Sequence, residues 1–134
     1  MGRGLLFDAS SLIYALKLRR PDILISNYIQ WLTIYEVING LWKEARLIKS
    51  ITTEDVITMI RVLRDVTKYM NVLSPQGCEE EILKTALELG ITAYDASYAV
   101  LAKNNDLTLV TEDKELREKA GDVVEVKTLT EVMT

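Results

Sequence analysis

The strongest constraint on the fold is an alternation. Apolar runs too short to be helices are separated, along the whole chain, by segments whose apolar residues recur at helical intervals. Leu5-Leu6-Phe7 is followed at once by Asp8, Ser10 and Ser11. It reads as the end of a buried parallel strand over 3–7. Residues 10–18 read as a helix that Arg19-Arg20-Pro21 stops, because the residue before a proline is pushed out of helical geometry. A short strand is expected at 29–32 and a helix at 34–48, with Thr33-Ile34-Tyr35-Glu36 in capping-box spacing at its start. An amphipathic helix follows over 52–70, then a short strand at 70–73, a turn at Ser74-Pro75-Gln76-Gly77 and a helix over 79–89 ended by Gly90. Thr92-Ala93-Tyr94-Asp95 opens a further helix that runs to Lys103 and carries no charge between Ala93 and Ala102 except Asp95, so it belongs inside the molecule. A strand at 107–110, a charged helix at 113–120 closed by Gly121, and a last strand at 123–126 complete the order. Such alternation predicts an α/β protein, one domain over 1–134, with a parallel sheet between helices and ligands outside the carboxyl ends of the strands.

Composition narrows the chemistry. The chain contains no histidine, the usual general base near neutral pH and the commonest transition-metal ligand, so imidazole triads and metal sites are excluded. The single Cys78 forms no internal disulfide and no zinc site. What remains for hydrolysis is oxygen, and carboxylate-rich sites select hard ions such as Mg²⁺ or Mn²⁺. No apolar run approaches the ~18 residues of a membrane span, and no signal peptide is recognisable, so no membrane contact and a cytoplasmic location are expected. A net charge of −4 argues against a nucleic-acid partner, an objection that weakens where part of the charge lines a cation pocket.

Four carboxylates stand where such a fold collects its chemistry. Asp8 follows the first strand, Asp113 follows Leu109-Val110-Thr111 with one residue between, and Glu36 and Asp95 fall in first helical turns. Each has a purely structural alternative. Glu36 and Asp95 are spaced from Thr33 and Thr92 as capping-box partners, and Asp8 and Asp113 are placed to cap the helices after their strands. Asp95 is the most informative, because an ionised group on an otherwise apolar helix must be paired, solvated in a cleft or bound to a cation. Glu36, which helical steps put opposite Ile38 and near Lys43, reads alone as a surface residue.

These segments resemble, in order, the acidic blocks of PIN domains. Leu5-Leu6-Phe7-Asp8-Ala9-Ser10-Ser11 resembles the opening strand and Asp-x-Ser, Thr33-Ile34-Tyr35-Glu36-Val37-Ile38-Asn39-Gly40-Leu41 the second block, Ala93-Tyr94-Asp95-Ala96-Ser97-Tyr98-Ala99 the third, and Leu109-Val110-Thr111-Glu112-Asp113 the fourth. The intervals between acids are 28, 59 and 18 residues, and size and layout are most similar to VapC-type toxins. The resemblance implies a three-layer α/β/α fold and a Mg²⁺- or Mn²⁺-dependent endoribonuclease. In it Asp8, Asp95 and Asp113 hold the metal, Glu36 completes the set directly or through water, and Ser10 and Thr111 support it. It also implies a small antitoxin partner and a homodimer built on apolar helix faces. Water as nucleophile would leave 5′-phosphate and 3′-hydroxyl ends on the RNA. Lys17, Arg19 and Arg20, or Lys43, Arg46 and Lys49, are candidates for tracking a phosphate backbone, whereas Trp31, Trp42 and Tyr35 read as core or interface residues. Three rivals stand beside this reading: a PIN fold that binds RNA or protein without cutting, a PIN nuclease of RNA processing, and a phosphoacceptor receiver domain. The last lacks its acidic pair after the first strand, since Asp8 has no acidic neighbour.

Overall fold

The structure is a computed structural model and describes residues 3–134. Five parallel strands, β1 (Leu5–Phe7), β2 (Tyr28–Gln30), β3 (Asn71–Leu73), β4 (Thr108–Val110) and β5 (Val126–Lys127), form one sheet in the order β3-β2-β1-β4-β5. Seven α-helices connect and follow them: α1 (Ala9–Lys17), α2 (Trp31–Trp42), α3 (Thr53–Val66), α4 (Glu79–Leu89), α5 (Ala93–Asn104), α6 (Lys114–Ala120) and α7 (Leu129–Met133).

Strand periodicity sorts the core into two layers. Phe7, Ile29 and Val110 point to one face of the sheet and pack with Leu12, Val37, Leu41, Leu63 and Leu129, from α1, α2, α3 and α7. Their neighbours Leu6 and Leu109 point to the other face and pack with Tyr98, Leu101 and Leu116, from α5 and α6. Ile82 and Ala86 of α4 close over Ala96 and Val100 of α5. The three-layer α/β/α arrangement is therefore the one the alternation predicts, and the central strands are apolar on both faces because both are covered. Every residue of α5 from Ala96 to Ala102 is buried, as its lack of charge requires.

Several boundaries differ from the expected ones. The second strand ends at Gln30 rather than 32, where α2 begins, α3 ends at Val66 rather than 70, and the last strand is Val126–Lys127 rather than 123–126, because the Val123 and Val124 N–H groups turn back onto the Ala120 carbonyl. Helix α2 begins at Trp31 rather than 34, because Gln30 rather than Thr33 is the cap residue, and the Thr33 hydroxyl reaches back to accept the Gln30 N–H at 3.1 Å. Beyond Trp42 the same helix widens to i→i+5 bonding over Lys43–Ile48 and stops at Lys49, whose φ is +60°. Helix α7, which the alternation did not predict, is held by a capping box between Thr128 and Glu131.

Gly90 ends α4 with φ +67° and nothing within 4 Å of where a Cβ would stand. Left-handed geometry alone therefore sets the effect of a side chain there. Gly90→Ala should lower the unfolding free energy by about 1 kcal/mol, read as a shifted urea midpoint at unchanged slope.

Candidate active site

The chain runs outward from β1 through β2 to β3, then returns to lay β4 and β5 on the other side of β1. The strand order reverses between β1 and β4, and the crevice at their carboxyl ends is where such sheets bind ligands. Asp8 leaves β1 there, and Thr111 to Asp113 leave β4.

Asp8 is 7% exposed and saturated with donors. Its Oδ1 accepts from Ser10 Oγ at 2.7 Å, the Ser11 N–H at 3.0 Å and Ser11 Oγ at 3.1 Å, while Thr111 Oγ1 donates a short bond to Oδ2. Burial pushes the Asp8 carboxyl above the ordinary aspartate range, and these hydrogen bonds, that from Thr111 foremost, pull it back. Ser10 Oγ also accepts the Glu112 N–H at 3.0 Å, and Thr111 Oγ1 accepts the Asp113 N–H at 3.1 Å. The two hydroxyls thus tie the ends of β1 and β4 together around Asp8. Asp113 caps α6, its Oδ1 accepting the Leu116 N–H at 3.2 Å. Its neighbour Glu112 is turned away, accepting the Leu129 N–H at 2.8 Å at the start of α7.

Capping and a place at the candidate site thus coincide at Asp8 and Asp113, each capping through Oδ1. They separate at the other two acids. Thr92 caps α5 by accepting the Asp95 N–H at 3.1 Å, but the Asp95 carboxylate makes no hydrogen bond among the described residues. Burial, then the charges of Asp113, Asp8 and Glu115, push its pKa up. Glu36 has no part in the cap of α2 and is half-buried, with Oε1 accepting the Tyr98 hydroxyl at 2.6 Å. The expectation of a surface Glu36 near Lys43 is corrected: its carboxyl is raised by burial first and by Asp8 and Asp95, against the lowering effect of the Tyr98 bond. Glu36 thus lies within electrostatic reach of Asp8 and Asp95, and Asp95 within reach of Asp113 and Asp8.

Their chemistry fits a hard divalent cation, since the donors are all carboxylate oxygens and their repulsion is what such an ion relieves. Among the described residues no three acidic or thiol side chains stand close enough together to form a finished metal cage.

Of the cationic candidates, Lys17 is paired with Glu44 and Arg20 with Asp22 at 2.9 Å, whereas Lys43, Arg46 and Lys49 are exposed. Trp31, Tyr35 and Trp42 are 57%, 76% and 51% exposed, which rules out the core half of the core-or-interface expectation. Sequence reasoning missed the bond that Tyr98 makes to Glu36. The signal for Tyr98 was its place three residues after Asp95, on the same helix face, with a hydroxyl that a buried tyrosine must satisfy.

A family model described as the PIN domain matches residues 5–122. The chain belongs to the PIN-domain family, and to its VapC type. It is 44% identical over 98 residues to exonuclease VapC9 of Pyrobaculum aerophilum, covering 73% of this chain and 70% of that one. It is 37% identical over 89 residues to ribonuclease VapC3 of the same organism, covering 66% of each. Among solved structures it is similar to PAE2754, again from Pyrobaculum aerophilum, with a TM-score of 0.77 and 34% identity over 99% of this chain and 96% of that one. The two named relatives of this VapC-type chain are nucleases by name, and the acids picked out from the sequence lie within the matched span.

Proposed function

We propose that the protein is a Mg²⁺- or Mn²⁺-dependent endoribonuclease, the toxin of a VapBC-type toxin–antitoxin pair acting in the cytoplasm. The observation that carries this reading is the electrostatic linkage of Glu36 and Asp95 to Asp8, and of Asp95 to Asp113, at the β1/β4 reversal point. Asp8, Asp95 and Asp113 would hold the cation, with Glu36 completing the set. Bound there, the cation supplies a lowered pKa for the attacking water and charge compensation at the scissile phosphate. The residues supply position. Ser10 and Thr111 fix both oxygens of Asp8, and the helix caps fix one oxygen of Asp113, leaving Oδ2 for a ligand. Lys43, Arg46 and Lys49 offer an exposed cationic row for the RNA backbone.

An apolar groove between α2 and α3, lined by Ile38, Leu41, Trp42, Val56, Ile57 and Ile60, supports a protein partner. The antitoxin and a homodimer are the occupants the family suggests. No described helix is long and apolar enough to cross a membrane.

The test uses a circular single-stranded RNA and a linear copy, with protein stripped by a chelator and then supplied with Mn²⁺. The circle should open only with the metal, leaving 5′-phosphate and 3′-hydroxyl ends. Ends bearing 2′,3′-cyclic phosphate would overturn attack by water. Digestion of the linear RNA alone would make the enzyme an exonuclease, and binding without cleavage would make it an inactive PIN module.

A further inference from the structure

The Tyr98 hydroxyl lies 2.6 Å from Glu36 Oε1 and 2.9 Å from Thr33 Oγ1, and its side chain is 1% exposed. Proton counting gives this network one direction. An ionised carboxylate only accepts, so Tyr98 donates to Glu36. A phenol has one proton, so the Thr33 contact runs the other way, with the Thr33 hydroxyl donating to Tyr98 Oη. Thr33 Oγ1 in turn accepts the Gln30 N–H at 3.1 Å. A relay therefore runs from a backbone amide at the end of β2, through Thr33 and Tyr98, to Glu36, and each bond polarises the next.

The relay sits in a clamp between helix starts. Gln30 Nε2 donates to Ser97 Oγ at 2.7 Å, and Ser97 Oγ donates to the Tyr94 carbonyl at 2.6 Å. Gln30, Thr33 and Tyr98 are all fully enclosed, at 1%, 0% and 1% exposure. The first turns of α2, which carries Glu36, and of α5, which carries Asp95, are thus locked to each other by buried polar groups. Their orientations are costly to change, because any broken member leaves an unsatisfied buried group.

We infer that Tyr98 is a positioning residue: it holds Glu36 by Oε1, leaving Oε2, which has no donor among the described residues, for the space of the candidate site. The inference rests on the metal-nuclease reading of that space. Tyr98 does not touch RNA or metal, and acts through Glu36.

The test is Tyr98→Phe, which keeps the ring and removes one hydroxyl. Mn²⁺ binding to the chelator-stripped full chain, followed by calorimetry, should weaken about tenfold, within the range found when partners behind metal ligands are removed. In a Glu36→Gln background the same substitution should add nothing. Wild-type affinity in Tyr98→Phe overturns the inference, and so does a loss of equal size in the Glu36→Gln background, which would mean that Tyr98 acts through packing. A readout without metal separates this from the function itself. In the stripped protein the Glu36 carboxyl ¹³C resonance should move on Tyr98→Phe, and the wild-type Tyr98 hydroxyl proton should exchange slowly with water. If wild type binds no Mn²⁺ but both signals behave so, the metal reading falls and the positioning role stands. If the resonance is unmoved or the proton exchanges freely, the positioning role falls. The hydroxyl proton needs no variant, so it decides even where Tyr98→Phe does not fold.

Discussion

Asp8→Asn is expected to lower Mn²⁺-stimulated RNA cleavage by about a hundredfold or more while leaving the metal-free protein at least as stable as its parent. The two halves follow from the same geometry. Asp8 is the buried member of the acidic group and the one both hydroxyls converge on, so losing its charge removes the centre of the cation site. Its structural duties survive the change. Asparagine caps helices as well as aspartate does, and its oxygen can still accept from the Ser11 N–H and from Ser10. The new amide would face Thr111, whose hydroxyl can turn from donor to acceptor. Meanwhile a buried charge repelled by Glu36 and lifted by desolvation is gone. Cleavage assays and urea unfolding in chelator check the two halves separately. Undiminished cleavage would trace the activity to another site or a contaminant. A large loss of stability would make Asp8 primarily a structural cap.

That division between cap and site marks where sequence reasoning succeeds and where it stops. Asp8, Thr92, Gly90 and Asp113 were legible because a cap is a local matter: one side chain, one amide, and a spacing of three or four residues. The sheet layers were legible because Leu6 and Phe7, or Leu109 and Val110, alternate between two apolar environments. Glu36 was misplaced because the start of α2 is set by Gln30, a residue not favoured as a cap, whose side chain is recruited by Ser97 on a helix 67 residues away. No local window contains that partner. Shifting the helix start by three residues moved Thr33 from cap to third position and released Glu36 from the capping box. The bond from Tyr98 to Glu36 escaped notice for the complementary reason. On an apolar helix a tyrosine counts as core, and only the fold reveals that its hydroxyl reaches across to α2.

The same acids predict how the metal-free protein responds to pH. The carboxyls of Asp8, Glu36 and Asp95 are all raised in the folded state, each by burial first, with neighbouring negative charges adding to the effect at Glu36 and Asp95. For an acid, a raised folded pKa means that folding favours the protonated form. The stability it contributes is complete below the unfolded values of 3.8 for aspartate and 4.5 for glutamate, and it is lost as pH rises through the raised ones. Asp22, Glu81, Glu125 and Glu131 shift the opposite way, but they are exposed, and their contribution changes only below their ordinary range. Above the ordinary carboxylate range, therefore, the site dominates, and the midpoint of thermal unfolding in chelator should fall as pH rises through the raised values. Mn²⁺ should reverse that slope, because the cation competes with protons for the same oxygens and binds more tightly as they ionise. At a free metal concentration about a hundred times Kd the stabilisation is ~2.7 kcal/mol, or roughly 10 °C for a domain of this size. Asp8→Asn should flatten both slopes. A metal-free midpoint that rises with pH above the ordinary carboxylate range, or one that Mn²⁺ leaves in place, would mean that the four carboxylates share a neighbourhood without forming a site.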